Sequence, residues 1–441
     1  MFQVGVAATD ISPLKPMFLF GYPHIPRNST GIHDPLLASA LCLKNETTTL
    51  LLIALDILMI SSRTAYDIRE ELSRKTGIAV SCIMISCSHT HSGPVAVDEL
   101  SCGGDPVVPK VDPEYLTFLQ QQVVAAAVDA GTNLRNAELA TATATVVGAG
   151  CNRHDPNGPC DPEIGIIVVR DVAAGKIMAL DVTYSMHPTI LHEDSTLISA
   201  DFPGYVRLHL QERLGAELVT VYHTGPSGNQ SPRYHVRGQT FAEAERIGRL
   251  VGDAVYHRVA ELNTTEFRSQ VELRGETTLV ELTPRNFPTV DEAEGILQAA
   301  REDYVRLQTE NAGHGPIRTA ECTVFGAEET VTMARYAQTG ELQQVQKEYN
   351  PAEVQVLRIG DTCLAGFPGE IFVEYGLALK RKFPGQVIPV SLVNGELQGY
   401  TVTPEAVGYE AGNSMFTPES GRRMTTAISA MIRRFTGGTA K

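Results

Sequence analysis

The sequence predicts an α/β fold of mixed β-sheet layers with flanking helices, and three observations predict it. Short apolar, β-rich runs alternate along the chain with amphipathic stretches of helical period. Between Glu138 and Tyr184 strand runs follow one another without a helix, which calls for antiparallel pairs as well as parallel ones. The chain has 441 residues at 43% hydrophobic content, enough for one large core, and no Gly/Ser- or Pro-rich linker divides it. A single catalytic domain over residues 1–441 is therefore expected.

In chain order, an alternating run opens as strand Gln3–Ala8, followed by strands Ala38–Lys44 and Leu50–Met59. The last of these is strongly apolar, but Asp56 interrupts it and it is too short to span a bilayer. Helix Ser62–Thr76, strand Val80–Ser86 and helix Pro113–Ala130 come next, then strands Glu138–Val147, Ile164–Arg170 and Ile177–Tyr184. Helix Pro203–Leu214 carries a start signal, Asp201 as an acidic cap with proline in the first turn. Strand Leu218–Tyr222, helix Phe241–Leu262, strand Val271–Val280 and helix Val290–Glu310 continue the alternation. Strands Val354–Ile359 and Thr362–Phe367, helix Ile371–Lys382 and strand Val387–Leu392 precede a last helix, Pro418–Phe435. There Thr417-Pro418-Glu419 repeats the cap-and-proline pattern.

A formal charge of −15, from 36 basic and 51 acidic residues, argues against nucleic acid and against anionic membrane surfaces. A small molecule is the expected partner, with no stable membrane insertion; homo-oligomerisation is left open. Met1-Phe2-Gln3 runs directly into an apolar alternating stretch without a basic n-region or long h-region, which predicts a cytoplasmic address. None of the eight cysteines forms a C-x-x-C pair, so a thiolate metal site is not expected, and the thiols are read as reduced and buried. Cys151 and Cys160 bracket one loop and would be the pair to join in an exported form.

The sharpest motif is Ser88-His89-Thr90-His91-Ser92-Gly93-Pro94, which follows a strand and ends in a loop-forcing Gly-Pro. In extended backbone, residues two apart project to one side, so His89 and His91 are expected to share a pocket at the strand end. An isolated H-x-H is often no more than two loop histidines. His187, before Pro188 at the end of another predicted strand, is a third candidate, and His192 a weaker one. Glu370, in Phe367-Pro368-Gly369-Glu370, stands where a strand gives way to a helix. It reads either as an ordinary first-turn carboxylate or as the acid that completes a His-His-Glu zinc set. The loop Gly225 to Arg233 could present backbone N–H groups and the Ser231 hydroxyl to a reacting carbonyl, although it is not a G-x-S-x-G elbow.

Taken together these segments resemble the catalytic domain of the neutral/alkaline (non-lysosomal) ceramidase family over nearly the whole chain. The resemblance runs from Val6-Ala7-Ala8-Thr9-Asp10-Ile11-Ser12-Pro13 through Gly31-Ile32-His33-Asp34-Pro35-Leu36, the His89 motif and Cys151-Asn152-Arg153. It continues with His187-Pro188, Leu197 to Asp201 and Gly228-Asn229-Gln230-Ser231-Pro232, and closes with Pro368-Gly369-Glu370, Gly399-Tyr400 and Tyr409-Glu410. It implies a zinc amidase in which His89, His187, Glu370 and Tyr400 hold Zn2+. It further implies that His91 faces the substrate and moves a proton to the leaving amine, with Ser231, Arg153 and Tyr409 completing the catalytic set. Water activated at the metal is favoured over Ser231 as nucleophile, and Asp56 and Asp201 are expected to orient ligand imidazoles.

The chain departs from the family's pattern in three places. Its serine loop reads Gly-Asn-Gln-Ser-Pro-Arg where the family has Gly-Asp-Val-Ser-Pro-Asn, the stretch from Tyr400 to Tyr409 is shorter, and the family's C-terminal immunoglobulin-like domain is not expected. The added positive charge of Arg153, Arg233 and His235 suits a polar or acidic amide as an alternative to ceramide. Other readings are an ester or lactone hydrolase, a metal-free serine hydrolase and a non-catalytic metal-binding homologue.

Overall fold

The computed structural model describes residues 2–437. Every strand and helix predicted above is present, with boundaries moved by a few residues. The larger sheet has eight strands in the order Val219–Thr224, Lys176–Tyr184, Glu163–Asp171, Arg135–Thr145, Gln3–Asp10, Leu37–Lys44, Thr49–Leu55 and Ile83–Cys87. Its middle pairs are antiparallel, as the helix-free run from Glu138 to Tyr184 requires. The outermost pair at each edge is parallel, Val219–Thr224 with Lys176–Tyr184 and Thr49–Leu55 with Ile83–Cys87. The smaller sheet places Leu273–Val280, Ala352–Ile359, Thr362–Gly366 and Val387–Val390 side by side, the last pair parallel.

The period-2 alternation of the strands sorts side chains into layers. Ile164, Ile166, Val168, Leu180 and Val182 pack with Phe202, Val206 and Leu210 of helix Phe202–Leu214 and with Ile247, Val251 and Val255 of helix Phe241–Ala260. Their neighbours Ile167, Val169, Ala179 and Val221 share a second cluster with Leu357, Leu364, Ile388 and Val390 of the smaller sheet. The outer face of that sheet, through Val354, Val356, Cys363 and Ala365, is covered by Met424, Ile428, Met431 and Ile432 of helix Glu419–Phe435. The result is two sheets face to face with helices outside both, and the parallel pairs aim their carboxyl ends toward one region.

Two local readings are corrected. The strand predicted to reach Met59 stops at Leu55, because Asp56 turns aside into a buried two-pronged pair with Arg207 at 2.9 and 2.5 Å. Thr417 does not cap the last helix: that helix has no side-chain cap, and the Thr417 hydroxyl is buried without a partner. Asp201, by contrast, caps helix Phe202–Leu214 as predicted.

The sequence reading assigned nothing between Glu310 and Val354, yet helices His314–Thr339 and Glu341–Glu348 lie there. The longer one contains Gly315, Pro316, Gly326 and several threonines, so it carries neither a strong propensity nor a clean apolar stripe. Its glycines serve close approach instead: a Cβ on Gly326 would lie 2.9 Å from the Cα of Tyr409.

The Asp56–Arg207 pair gives the first prediction. Arg207→Leu leaves a buried carboxylate unpaired and is expected to lose about 3–5 kcal/mol in urea unfolding, with Asp56→Asn in the same chain recovering part of it. Equal midpoints for wild type and the single variant would show the pair to be energetically neutral.

Candidate active site

The site is assembled from segments that follow strand ends. His89 and His91 come after Ile83–Cys87, His187 after Lys176–Tyr184, Ser227 to Ser231 after Val219–Thr224, and Glu370 after Thr362–Gly366. His89 is not in extended backbone as its motif suggested but in the left-handed region, at φ 69°. That turn, rather than strand alternation, brings the His89 and His91 rings within 5.0 Å and nearly perpendicular. The turn is held by the His89 N–H donating to the Ile57 carbonyl at 3.0 Å and the Thr90 hydroxyl donating to the Ser199 carbonyl at 2.7 Å.

Each of the three rings has Nδ1 against a backbone carbonyl: His89 at 2.9 Å from Leu58, His91 at 2.9 Å from Gly21, His187 at 2.7 Å from Ser227. A carbonyl can only accept, so each Nδ1 carries the proton and each Nε2 is a bare acceptor. One ring nitrogen from each of the three histidines lies within 4.8 Å of the other two. The Nε2 atoms of His89 and His187 are 3.1 Å apart, and the Glu370 Oε2 is 3.1 and 3.0 Å from them. The Nε2 of His91 is buried without any protein partner. Buried lone pairs facing one another beside a carboxylate form a donor set that lacks its cation, and imidazole with carboxylate is a set that a borderline divalent ion accepts. The residues present therefore fit a metal.

The electrostatics agree. Burial, reinforced by His89 and His187, holds His91 well below its ordinary pKa. Burial, with Arg153 adding, takes His187 down to about 4. Burial would raise Glu370, but His89 and His187 override it and hold the carboxyl well below its usual range. The inner cavity beside this set is also lined by Tyr400 and Tyr409. Burial and then Glu370 push the Tyr400 phenol well above its ordinary value, with Arg153 opposing.

Glu370 is not a first-turn helix carboxylate. It forms a two-residue parallel pairing with Tyr400, Glu370 opposite Tyr400 and Ile371 opposite Thr401, and the helix begins only at Val373. Ser231 sits opposite Cys151 in a short antiparallel pair, and its hydroxyl oxygen accepts the Arg233 N–H at 3.0 Å. No imidazole or carboxylate is hydrogen-bonded to that hydroxyl among the described residues. Arg153 is buried, with its Nε on Glu410 at 2.5 Å and its Cζ 5.4 Å from the Tyr400 ring and 6.0 Å from the Tyr409 ring. A cleft leads in, lined by His91, Arg153, Ser231, Tyr400 and Tyr409 among others.

All the residues singled out as catalytic or metal-binding thus gather around one cleft and its inner cavity. The orienting roles expected of Asp56 and Asp201 do not materialise. Asp56 is spent on Arg207 and the Leu37 N–H, while Asp201 accepts the N–H groups of Ile190, Leu191 and Phe202. The reading missed Tyr22, Glu410 and the face of helix His314–Thr339 that gives the cleft Arg318, Thr319, Cys322 and Phe325. His192 lines the cleft but stands apart from the three-ring cluster; His235 does not line it. All eight thiols are free, those of Cys151 and Cys160 included.

The model of the neutral/alkaline non-lysosomal ceramidase N-terminal region matches residues 2–233, more than half of the chain. The chain belongs to this ceramidase family. Its fold is similar to the crystal structure of neutral ceramidase from Pseudomonas aeruginosa, with a TM-score of 0.74 and 18% identity over 100% of this chain and 75% of that one. It is also similar to a ceramidase complexed with C2, with a TM-score of 0.73 and 18% identity over 98% of this chain and 75% of that one. At such identity these ceramidase structures share the fold. No curated protein sequence matches the chain. No helix among the described residues is long and apolar enough to cross a membrane.

Glu410, next to Tyr409 on the cleft, yields a pH prediction. Burial would raise it, but Arg153 and then His154 bring its carboxyl down to about 2 from 4.5. A depressed carboxyl contributes stability that is full above the unfolded value and is lost as pH falls through the folded one. Wild type is therefore expected to lose melting temperature steeply between about pH 5 and 2, and Glu410→Gln to flatten that limb while lowering the plateau. Parallel profiles would show that Glu410 is not linked to folding.

Proposed function

We propose that the chain is a zinc-dependent hydrolase that cleaves the amide bond of an N-acylated substrate. The observation that carries this reading is the convergence of the bare Nε2 atoms of His89 and His187 on the Glu370 carboxylate. Family membership supports amide hydrolysis. His89, His187 and Glu370 would hold the ion, with Tyr400 from the paired strand as the fourth ligand. When bound, the ion supplies Lewis-acid stabilisation to charge developing on the acyl oxygen and promotes a water nucleophile.

The chain's own residues divide the remaining work. His91 Nε2 is near the ligand set but not hydrogen-bonded to it, and His91 also lines the open cleft. It is placed to take a proton from the attacking water and return it to the leaving amine. Its Nδ1–H stays on the Gly21 carbonyl throughout, which keeps the ring in one orientation. Arg153 is fixed by Glu410 through Nε, and its Nη2 is buried and unpartnered on the cleft wall. That N–H is available to an acyl oxygen as it becomes negative. Ser231, with no base bonded to it, is read as a substrate contact rather than the nucleophile.

Metal analysis with an amide panel tests the proposal. About one zinc per chain and loss of turnover on chelation are expected. His187→Ala should lose the metal, whereas His91→Ala should keep it and lose about 10²–10⁴-fold in kcat. Chelator-resistant turnover would overturn the metal reading, and metal loss in His91→Ala would make His91 a ligand. Cleavage of esters or lactones but not amides would move the function to the alternative acyl class.

A further inference from the structure

The cleft wall carries three guanidiniums, and two of them are neutralised by the protein itself. Arg153 is paired with Glu410, which His154 also contacts at 2.7 Å. Arg318 is paired with Glu193 at 2.9 Å and Glu321 at 2.7 Å. Arg233 differs. Its Nη1 donates to the Arg153 carbonyl at 3.2 Å and the Thr319 hydroxyl at 2.8 Å, and its Nη2 to the Cys322 sulfur at 3.6 Å. None of these acceptors is a carboxylate, and no carboxylate is ion-paired with Arg233 among the described residues. A guanidinium has five N–H donors, so its Nε–H and part of its fork remain free for a ligand.

Arg233 is also held in place. Its own N–H is tied to the Ser231 hydroxyl, and its head is fastened between the Arg153 loop and helix His314–Thr339. The surroundings reinforce the sign: burial first, then Arg318, hold His192 of the same wall below its ordinary pKa, Glu193 opposing and Arg233 and His314 adding. An uncompensated, oriented cation facing a cleft in a chain of net charge −15 is a feature that a neutral lipid amide would leave unused.

We propose that Arg233 receives a carboxylate carried by the substrate, so that the preferred substrates are acidic N-acyl amides rather than neutral ones. This rests on the amide-hydrolase reading above. The carboxylate could belong to the amine half, as in an N-acyl amino acid, or to the far end of a dicarboxylic acyl half. In either case the planar, two-pronged guanidinium–carboxylate contact is the recognition element.

Three matched amides distinguish these sources: N-hexanoyl-ethanolamine as the neutral reference, N-hexanoyl-glycine with its carboxylate on the amine half, and N-glutaryl-ethanolamine with it on the acyl half. At least one acidic amide is expected to exceed the reference about tenfold in kcat/KM. Arg233→Asn should cut that ratio about 10–100-fold and Arg233→Lys should retain part of it. An arginine that only fastened its loop would lower the melting temperature and leave the ratio alone. Equal use of the neutral amide, or a ratio unmoved in Arg233→Asn, overturns the proposal while the hydrolase reading stands. If no amide is cleaved, the hydrolase reading fails, and calorimetric binding of glutarate still decides: weaker binding to Arg233→Asn than to wild type supports the anion site, and equal binding overturns it.

Discussion

The site depends on three backbone carbonyls. Leu58, Gly21 and Ser227 each occupy the Nδ1 of one histidine, and so decide which nitrogen of each ring faces inward. A flip or a change of tautomer at any ring would turn a donor toward the other two and dissolve the set. Carbonyl acceptors also add no charge, unlike the carboxylates that often orient ligand imidazoles, so the negative charge next to the rings is concentrated on Glu370. The loops that supply these carbonyls are correspondingly constrained. Gly21 has φ +112°, and a Cβ there would lie 2.4 Å from the His91 Nδ1 that its own carbonyl holds. His89 sits in left-handed backbone, where a non-glycine residue costs of order 1–3 kcal/mol.

What keeps those loops in register is the junction between the two sheets. Asn394, itself at φ 57°, donates its N–H to the Ile85 carbonyl at 2.7 Å and accepts the Ile85 N–H on its side chain at 3.1 Å. It thereby caps the outer edge strand of the larger sheet as a short partner strand would. Its side-chain amide continues to Gln355 and Glu353 of the smaller sheet. At the opposite edge Ser391 donates its N–H to the Thr224 carbonyl at 2.9 Å and its hydroxyl to Gly225 at 2.8 Å. The smaller sheet is thus stitched to both parallel edges of the larger one. Glu370, on a loop of the smaller sheet, is carried to histidines on loops of the larger.

The parts of this arrangement that were legible are those written as contiguous chemistry. The H-x-H motif, the His-Pro at a strand end and the Pro-Gly-Glu turn each show a ligand type at a strand terminus, and all three meet. Layering was legible for a similar reason: strands with period-2 alternation declare how many faces they bury. Second-sphere geometry was not. Asp56 and Asp201 look like imidazole partners because they are acidic and near the motifs, yet one answers a buried arginine and the other three backbone N–H groups. No local pattern announces a carbonyl acceptor, since every residue has one. Helix His314–Thr339 was illegible because its glycines answer residues far along the chain, Gly326 the backbone of Tyr409 and Gly315 the ring of Tyr234. The part of the cleft wall that it supplies, with Arg318 and Thr319, was hidden with it.

The inner cavity shows how one chemical type takes opposite states within a small space. Glu99 and Glu329 line it together with Glu370. Burial first and then Glu396 push the Glu99 carboxyl up to about 8, and burial then Glu99 take Glu329 well above its ordinary range. Glu396, behind them, rises to about 7 by burial, despite hydrogen bonds to Tyr349 and Gln398. Each of these acids is buried beside other acids, so desolvation and mutual repulsion both resist its ionisation. Glu370 alone faces the imidazoles and stays ionised. The cavity floor therefore combines one carboxylate held ionised with acids whose ionisation is resisted, and adding charge at Glu99 or Glu329 would raise the repulsion that Glu370 already feels. Burial without a cationic neighbour and burial with one separate these carboxyls into two populations, and that separation leaves a single anionic ligand where the three histidines converge.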